Sequence, residues 1–91
     1  MKPEVHDLKC WPESFDALRR GAKTVELRRN DRDYAERDVL LLREYDPEVD
    51  EYTGRHLLAR VRHIVRDFDG PWLMEGYVAL SLYRFREPRS I

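Results

Sequence analysis

Hydrophobic and polar positions alternate in short blocks along this 91-residue chain, and the period changes from block to block. From Val5 to Cys10 the period is two, with His6, Leu8 and Cys10 on one face and Asp7 and Lys9 on the other, which predicts a short half-buried strand. Trp11 then hands over to a helix. Pro12 suits its first turn because the missing N–H would go unpaired there, and Glu13 suits the positive end of the helix dipole. Phe15, Leu18 and Ala22 recur at spacings of three and four, and Gly21 is placed to end the helix in a left-handed conformation. That makes about two and a half turns at 3.6 residues per turn.

Period two returns from Lys23 to Arg29, where Val25 and Leu27 face one way and Thr24, Glu26 and Arg28 the other. A regular strand would send Lys23 with Val25, opposite Glu26, so their meeting requires a bulge or a Lys23 seated in the turn. Asn30 to Asp33 is a turn cluster, and Val39 to Leu42 is an apolar run suited to a strand covered on both faces. Asp46, Pro47 and Gly54 mark an acidic hairpin connection. In the strand from His56 to Arg66, Leu57, Ala59, Val61, His63 and Val65 share one face, and Leu58, Arg60, Arg62, Ile64 and Arg66 the other. Asp69, Gly70 and Pro71 form a breaker followed by Trp72, and Tyr77 to Phe85 reads as the last strand, with Val78, Leu80 and Leu82 on one face. Strand, helix, then four strands predict one α+β domain over residues 1–91. Its sheet is small, twisted, mostly antiparallel and curled into a barrel, with one main helix between strands 1 and 2 and no exposed edges.

Composition narrows the class. Hydrophobic residues at 42% and charged residues at 38% describe a globular chain, and its length suits a single core. No apolar run approaches the roughly 18 residues of a spanning helix, so no membrane role is expected. The N-terminal MKPEVHDLKC lacks the apolar stretch of a secretory signal, and the single cysteine fits a reducing compartment, so a cytoplasmic location is expected. A net charge of -1 argues against a polyanion partner until position is considered. Between Arg19 and Arg37 seven bases face four acids, five acids crowd Glu44 to Glu51, and Arg55 to Arg66 holds four arginines and no acid. Such segregation is the pattern of a polyanion-binding face with an acidic back.

The run GAKTVELRRNDRDY from Gly21 to Tyr34, with the preceding LKCWPESFDAL, resembles the ASCH domain of the PUA-like superfamily, and more narrowly an ASCH-related bacterial and phage family of unknown function. Gly21, Lys23, Glu26 and Arg28 carry the motif Gly-x-Lys-x-x-Glu-x-Arg, and the likeness continues through NDRDY, DVLLLREYDP, YTGR and GYVALSL. The resemblance implies a PUA-like barrel with a helix beside a cleft that binds RNA or a modified nucleobase. Relatives of this fold include an amidohydrolase of acetylated cytidine whose motif carries a nucleophilic Thr activated by Lys. Here Glu26 stands at the Thr position, and Thr24 lies roughly 6 to 7 Å away along the strand. Arg37 replaces a usual Gly, which argues against an obligatory positive φ in that turn.

The leading expectation is therefore an RNA- or modified-nucleotide-binding module. Lys23 and Arg28 would hold a phosphate or base carbonyl, and Glu26 would accept from an exocyclic amine. Arg60, Arg62 and Arg66 would track a backbone, Trp11 and Trp72 would offer stacking faces, with Trp72 the better placed, and Lys9, Asn30, Arg32 and Tyr34 would complete the surface. The plain alternative for each charged group is a solvated, salt-bridged strand face. A rival reading is a hydrolase, either an amidohydrolase or a ribonuclease, with Glu26 as general base and Lys23 stabilising the anion. A third is a protein-interaction module using the acidic hairpin. No cofactor or metal is expected, since Cys10 lacks a cysteine partner and His56 and His63 fall on opposite faces; His6 and His63 are read as core residues bonded to backbone.

Overall fold

Alternation in the sequence becomes five strands and one helix in the computed structural model, which describes residues 2–84. Strand β1 spans Val5–Cys10, helix α1 Pro12–Arg19, β2 Val25–Arg29, β3 Val39–Asp46, β4 Glu51–Arg66 and β5 Tyr77–Arg84, with a short 3-10 turn at Asp67–Asp69. Phe85, expected in the last strand, lies outside the described residues. The sheet order is β1-β3-β4-β5-β2, with β1 parallel to β3 and the other pairs antiparallel. Helix α1 packs on β3 and buries Phe15 and Leu18. It stops at Arg19, close to the two and a half turns expected, and Gly21 takes the left-handed φ of +79 expected of it, which leaves Ala22 outside the helix.

The sheet curls into a half-barrel and does not close. Strands β1 and β2 remain its edges, which corrects the expectation of an edgeless barrel. Inside lie Leu8, Leu40, Leu42, Leu57, Val61, Val78 and Leu80, all but sealed from solvent. Between the two edges, backbone pairing gives way to side chains. The Arg28 guanidinium donates to the Lys9 carbonyl at 2.5 Å and that of Arg32 to the Asp7 carbonyl at 3.1 Å. Carbonyls two residues apart on a strand point the same way, so the two arginines cap consecutive acceptors on the free edge of β1.

Two irregularities redirect side chains. In β4 the register against β5 shifts between Val61 and His63, so that Arg62 is the extra residue. A one-residue slip exchanges the faces, and Ile64 enters the core while His63 stays on the surface, paired with Glu36 at 3.2 Å. This corrects the placement of His63 in the core and removes Arg66 from the face that carries Arg60 and Arg62. His6 is buried as expected, but its Nε2 meets the Asp38 carboxylate at 2.8 Å and not a backbone group. The second irregularity lies between Arg43 and Tyr45 of β3, opposite the stretch of β4 around Gly54. There Thr53 and Arg55 converge on the buried Glu44, at 2.7 Å from the hydroxyl and 2.9 and 3.0 Å from the guanidinium.

The turn before β3 overturns one expectation drawn from Arg37, which does adopt a positive φ of 78°. Asp38 N–H closes the turn on the Ala35 carbonyl at 3.1 Å, while Arg37 N–H bonds the Val61 carbonyl at 2.8 Å. Those anchors hold a β-carbon where glycine would be unstrained. Arg37→Gly should therefore stabilise the fold by about 1 kcal/mol in urea unfolding, and a loss of stability would refute the strain.

Acid should unfold this protein through Asp38 and Glu44. Burial alone would raise the Asp38 pKa, but the His6 ring and the N–H groups of Glu4 and Ala35 more than offset it and hold the carboxyl below its ordinary 3.8. Arg55 lowers Glu44 below its ordinary 4.5, burial works against this, and Thr53 adds to the lowering. Each group thus contributes stability above its unfolded pKa, and that contribution fades as pH falls through the lower folded value. Urea midpoints measured from pH 6 to pH 2 should drop once pH passes below 4.5, and Asp38→Asn should flatten the fall below 3.8.

Candidate functional site

Strand β2 runs with its polar face inward. Glu26 is only 4% exposed, whereas Val25 and Leu27, the apolar pair of the same strand, stand 39% and 61% exposed. Inversion is stable because the carboxylate is fully engaged. Lys23 Nζ donates to Glu26 Oε1 at 3.2 Å, and Arg28 Nε donates to Oε2 at 2.8 Å, with the Arg28 guanidinium ion-paired to the same oxygen, Nη2 lying 2.6 Å from it. Lys23 can do this because β2 starts only at Val25, leaving Lys23 in the turn after α1, free of strand alternation. The lysine also donates to Ser14 Oγ at 2.5 Å, which ties the turn back to the first part of the helix.

Above this cluster the half-barrel opens into a cleft of about 520 Å³ between the edges of β1 and β2. Lys9, Cys10, Trp11 and Ser14 line one wall, and Lys23, Glu26, Leu27, Arg28, Arg29 and Tyr77 line the other. Four cations and one carboxylate give the lining a formal charge of +3, obtained as four minus one. Lys9 Nζ lies 4.2 Å over the Tyr45 ring and the Arg29 guanidinium 5.4 Å over that of Tyr77. The Trp11 indole stacks on Tyr45 with centroids 5.5 Å apart and planes at 28°, yet stays 52% exposed, so one face is backed by protein and the other is open.

Burial raises the Cys10 thiol above its ordinary 9.0 and the charge of Glu26 adds to the rise, while the hydrogen bond with Ser14 and the charges of Arg28 and Lys23 act the other way. Among the described residues no three His, Cys, Asp or Glu side chains gather as a metal set, and no helix is long and apolar enough to cross a membrane.

Of the side chains singled out from sequence, Lys9, Trp11, Lys23, Glu26 and Arg28 meet in this cleft. The rest lie elsewhere. Asn30 holds the β2–β5 end through its N–H to the Gly76 carbonyl, and Arg32 braces β1. Tyr34 is a core residue against His6, with its hydroxyl pKa raised first of all by burial. Arg60 donates to the Arg37 carbonyl, Arg62 lies over Tyr83, and Trp72 stands exposed in the β4–β5 loop. Thr24 lines, with Lys23, a small apolar pocket of about 50 Å³ and is not part of the cleft lining. Ser14, Cys10, Arg29 and Tyr77 were not foreseen as cleft residues. A sequence signal for Ser14 is its position just before the core residue Phe15 on a helix that starts beside the motif.

A family model described as "Domain of unknown function (DUF3850)" matches residues 5–82. The chain is also 36% identical over 80 residues to a protein of Escherichia phage P2 described as "Uncharacterized 12.9 kDa protein in GpA 3'region", an overlap of 88% of this chain and 69% of the phage protein.

A buried thiol with a raised pKa reacts slowly. Cys10 should be modified by a disulfide reagent at pH 7 at least about tenfold more slowly than in the urea-unfolded chain. Equal rates would show that the floor of the cleft is open to solvent.

Proposed function

The chain belongs to the DUF3850 family, and on that footing we propose that it is an ASCH-like module of the PUA-like kind that binds RNA, or a single modified nucleotide, in the cleft between β1 and β2. One observation carries the reading. Lys23, Glu26 and Arg28 converge in an open cleft of charge +3 whose wall includes a protein-backed indole, and this combination suits a ligand with both phosphate and an aromatic base. The motif from Gly21 to Arg28, and a helix beside the mouth of a half-barrel, support the ASCH-like assignment.

The hydrolase reading is weaker. A general base needs a lone pair open to water, whereas Glu26 is buried and both its oxygens already accept from cations. The acidic hairpin is less available to a protein partner than its composition suggests, since Glu44 is buried against Arg55 and Thr53.

Filter binding of short single-stranded RNA should weaken with salt, with a logarithmic slope of about -0.7 per phosphate contacted. Lys23→Ala and Arg28→Ala should each reduce affinity and flatten that slope by about one contact. Wild-type protein that retains no RNA at 20 to 50 mM salt, roughly the low end of such titrations, would sink the proposal.

A further inference from the structure

Hydrogen-bonding capacity in the cleft is lopsided. Its one carboxylate faces inward and is engaged by the protein. Glu26 takes Lys23 on one oxygen and Arg28 Nε on the other, and Ser14 Oγ takes Lys23 at 2.5 Å. Donors remain. Lys23 uses two of its three N–H groups, on Ser14 and Glu26, and Arg28 uses Nε and Nη2 but not Nη1 among the described residues. Lys9 and Arg29 lie over aromatic rings with no carboxylate partner among the described residues.

A phosphate group offers acceptors only, which this lining matches. A base edge offers donors and acceptors in a pattern that the lining has few free acceptors to read. The open face of Trp11 accepts any base, because stacking uses the ring and not its edge. Resting on the nucleic-acid reading of the same cleft, we infer that the site takes the phosphate and the stacked face of one nucleotide unit and leaves base identity unread. Glu26 is then an internal counter-ion that fixes the positions of Lys23 and Arg28, and it is not a ligand-binding group. This replaces the role of accepting from an exocyclic amine, because Glu26 is only 4% exposed and both its oxygens are held by Lys23 and Arg28. Pinning two long cationic side chains before the ligand arrives removes much of the ordering entropy that binding would otherwise cost.

The test is competition on the full chain against a labelled single-stranded RNA, with single-stranded DNA of the same sequence as a second arm. UMP, CMP and AMP should displace the label at concentrations within about threefold of one another, and the matching nucleosides should require at least about tenfold more. Uridine competing as well as UMP, or one base preferred more than about tenfold, would each overturn the inference. In those cases the parent reading survives, because RNA still binds the wild type. Wild-type protein that binds neither RNA nor DNA fails the parent reading itself.

Discussion

A carboxylate taken out of water must be surrounded by donors, and in this protein the most consequential one is Glu26. Its need for cations brings Lys23 back from the helix turn and Arg28 across from β2. Arg28 then reaches the Lys9 carbonyl and holds the two sheet edges together where no ladder joins them. The strand is therefore oriented by its charges. Val25 and Leu27, which hydrophobicity alone would bury, are left outside. Removing one partner of such a cluster leaves a buried charge uncompensated, which typically costs about 3–5 kcal/mol. Against the roughly 5–15 kcal/mol that holds a small domain together, that is a large share.

Among the described residues Glu26 is one of three buried carboxylates that follow the same rule and differ in outcome. Asp38 collects the His6 ring and the N–H groups of Glu4 and Ala35, and so fastens the N-terminal segment to the turn before β3. Glu44 collects Thr53 and Arg55 across the irregular part of the β3–β4 hairpin. Both are structural knots whose donors come from backbone, hydroxyl, imidazole or a single arginine. Glu26 alone is served by two cations from different segments, and both of them border an open cleft. That difference sets the Glu26 cluster apart from the two fastenings as the candidate site.

Element order and most faces were legible in the sequence because period-two and period-3.6 patterns are strong in β1, α1, β3 and β5. The motif around Glu26 was legible too, through its resemblance to a family. What escaped detection depends on pairing. The slip at Arg62 that ejects His63 and admits Ile64 has no local signature, since either register satisfies the alternation in β4. The open seam was hidden as well, because closure depends on how far a sheet curls and not on which residues it contains. Arg37 misled because residue type is a guide to φ only until neighbouring hydrogen bonds outweigh it. Trp72 looked like the better platform from its loop, yet Trp11 is the one placed at the cleft, by Tyr45, thirty-four positions further along the chain.

The strand order has a consequence in time. β1 and β2 follow each other in the chain but lie at opposite ends of the sheet, and the neighbour of β2 is β5, where Val25 pairs with Ser81. As the chain grows from its N-terminus, β2 emerges early and waits for the last strand to be made before it has an edge to join. Its charged face, awkward in a finished sheet, keeps that waiting segment hydrated and discourages it from pairing with a stranger. The same residues thus serve the nascent chain as a solubilising flank, and only when β5 arrives do they become the floor of a cleft.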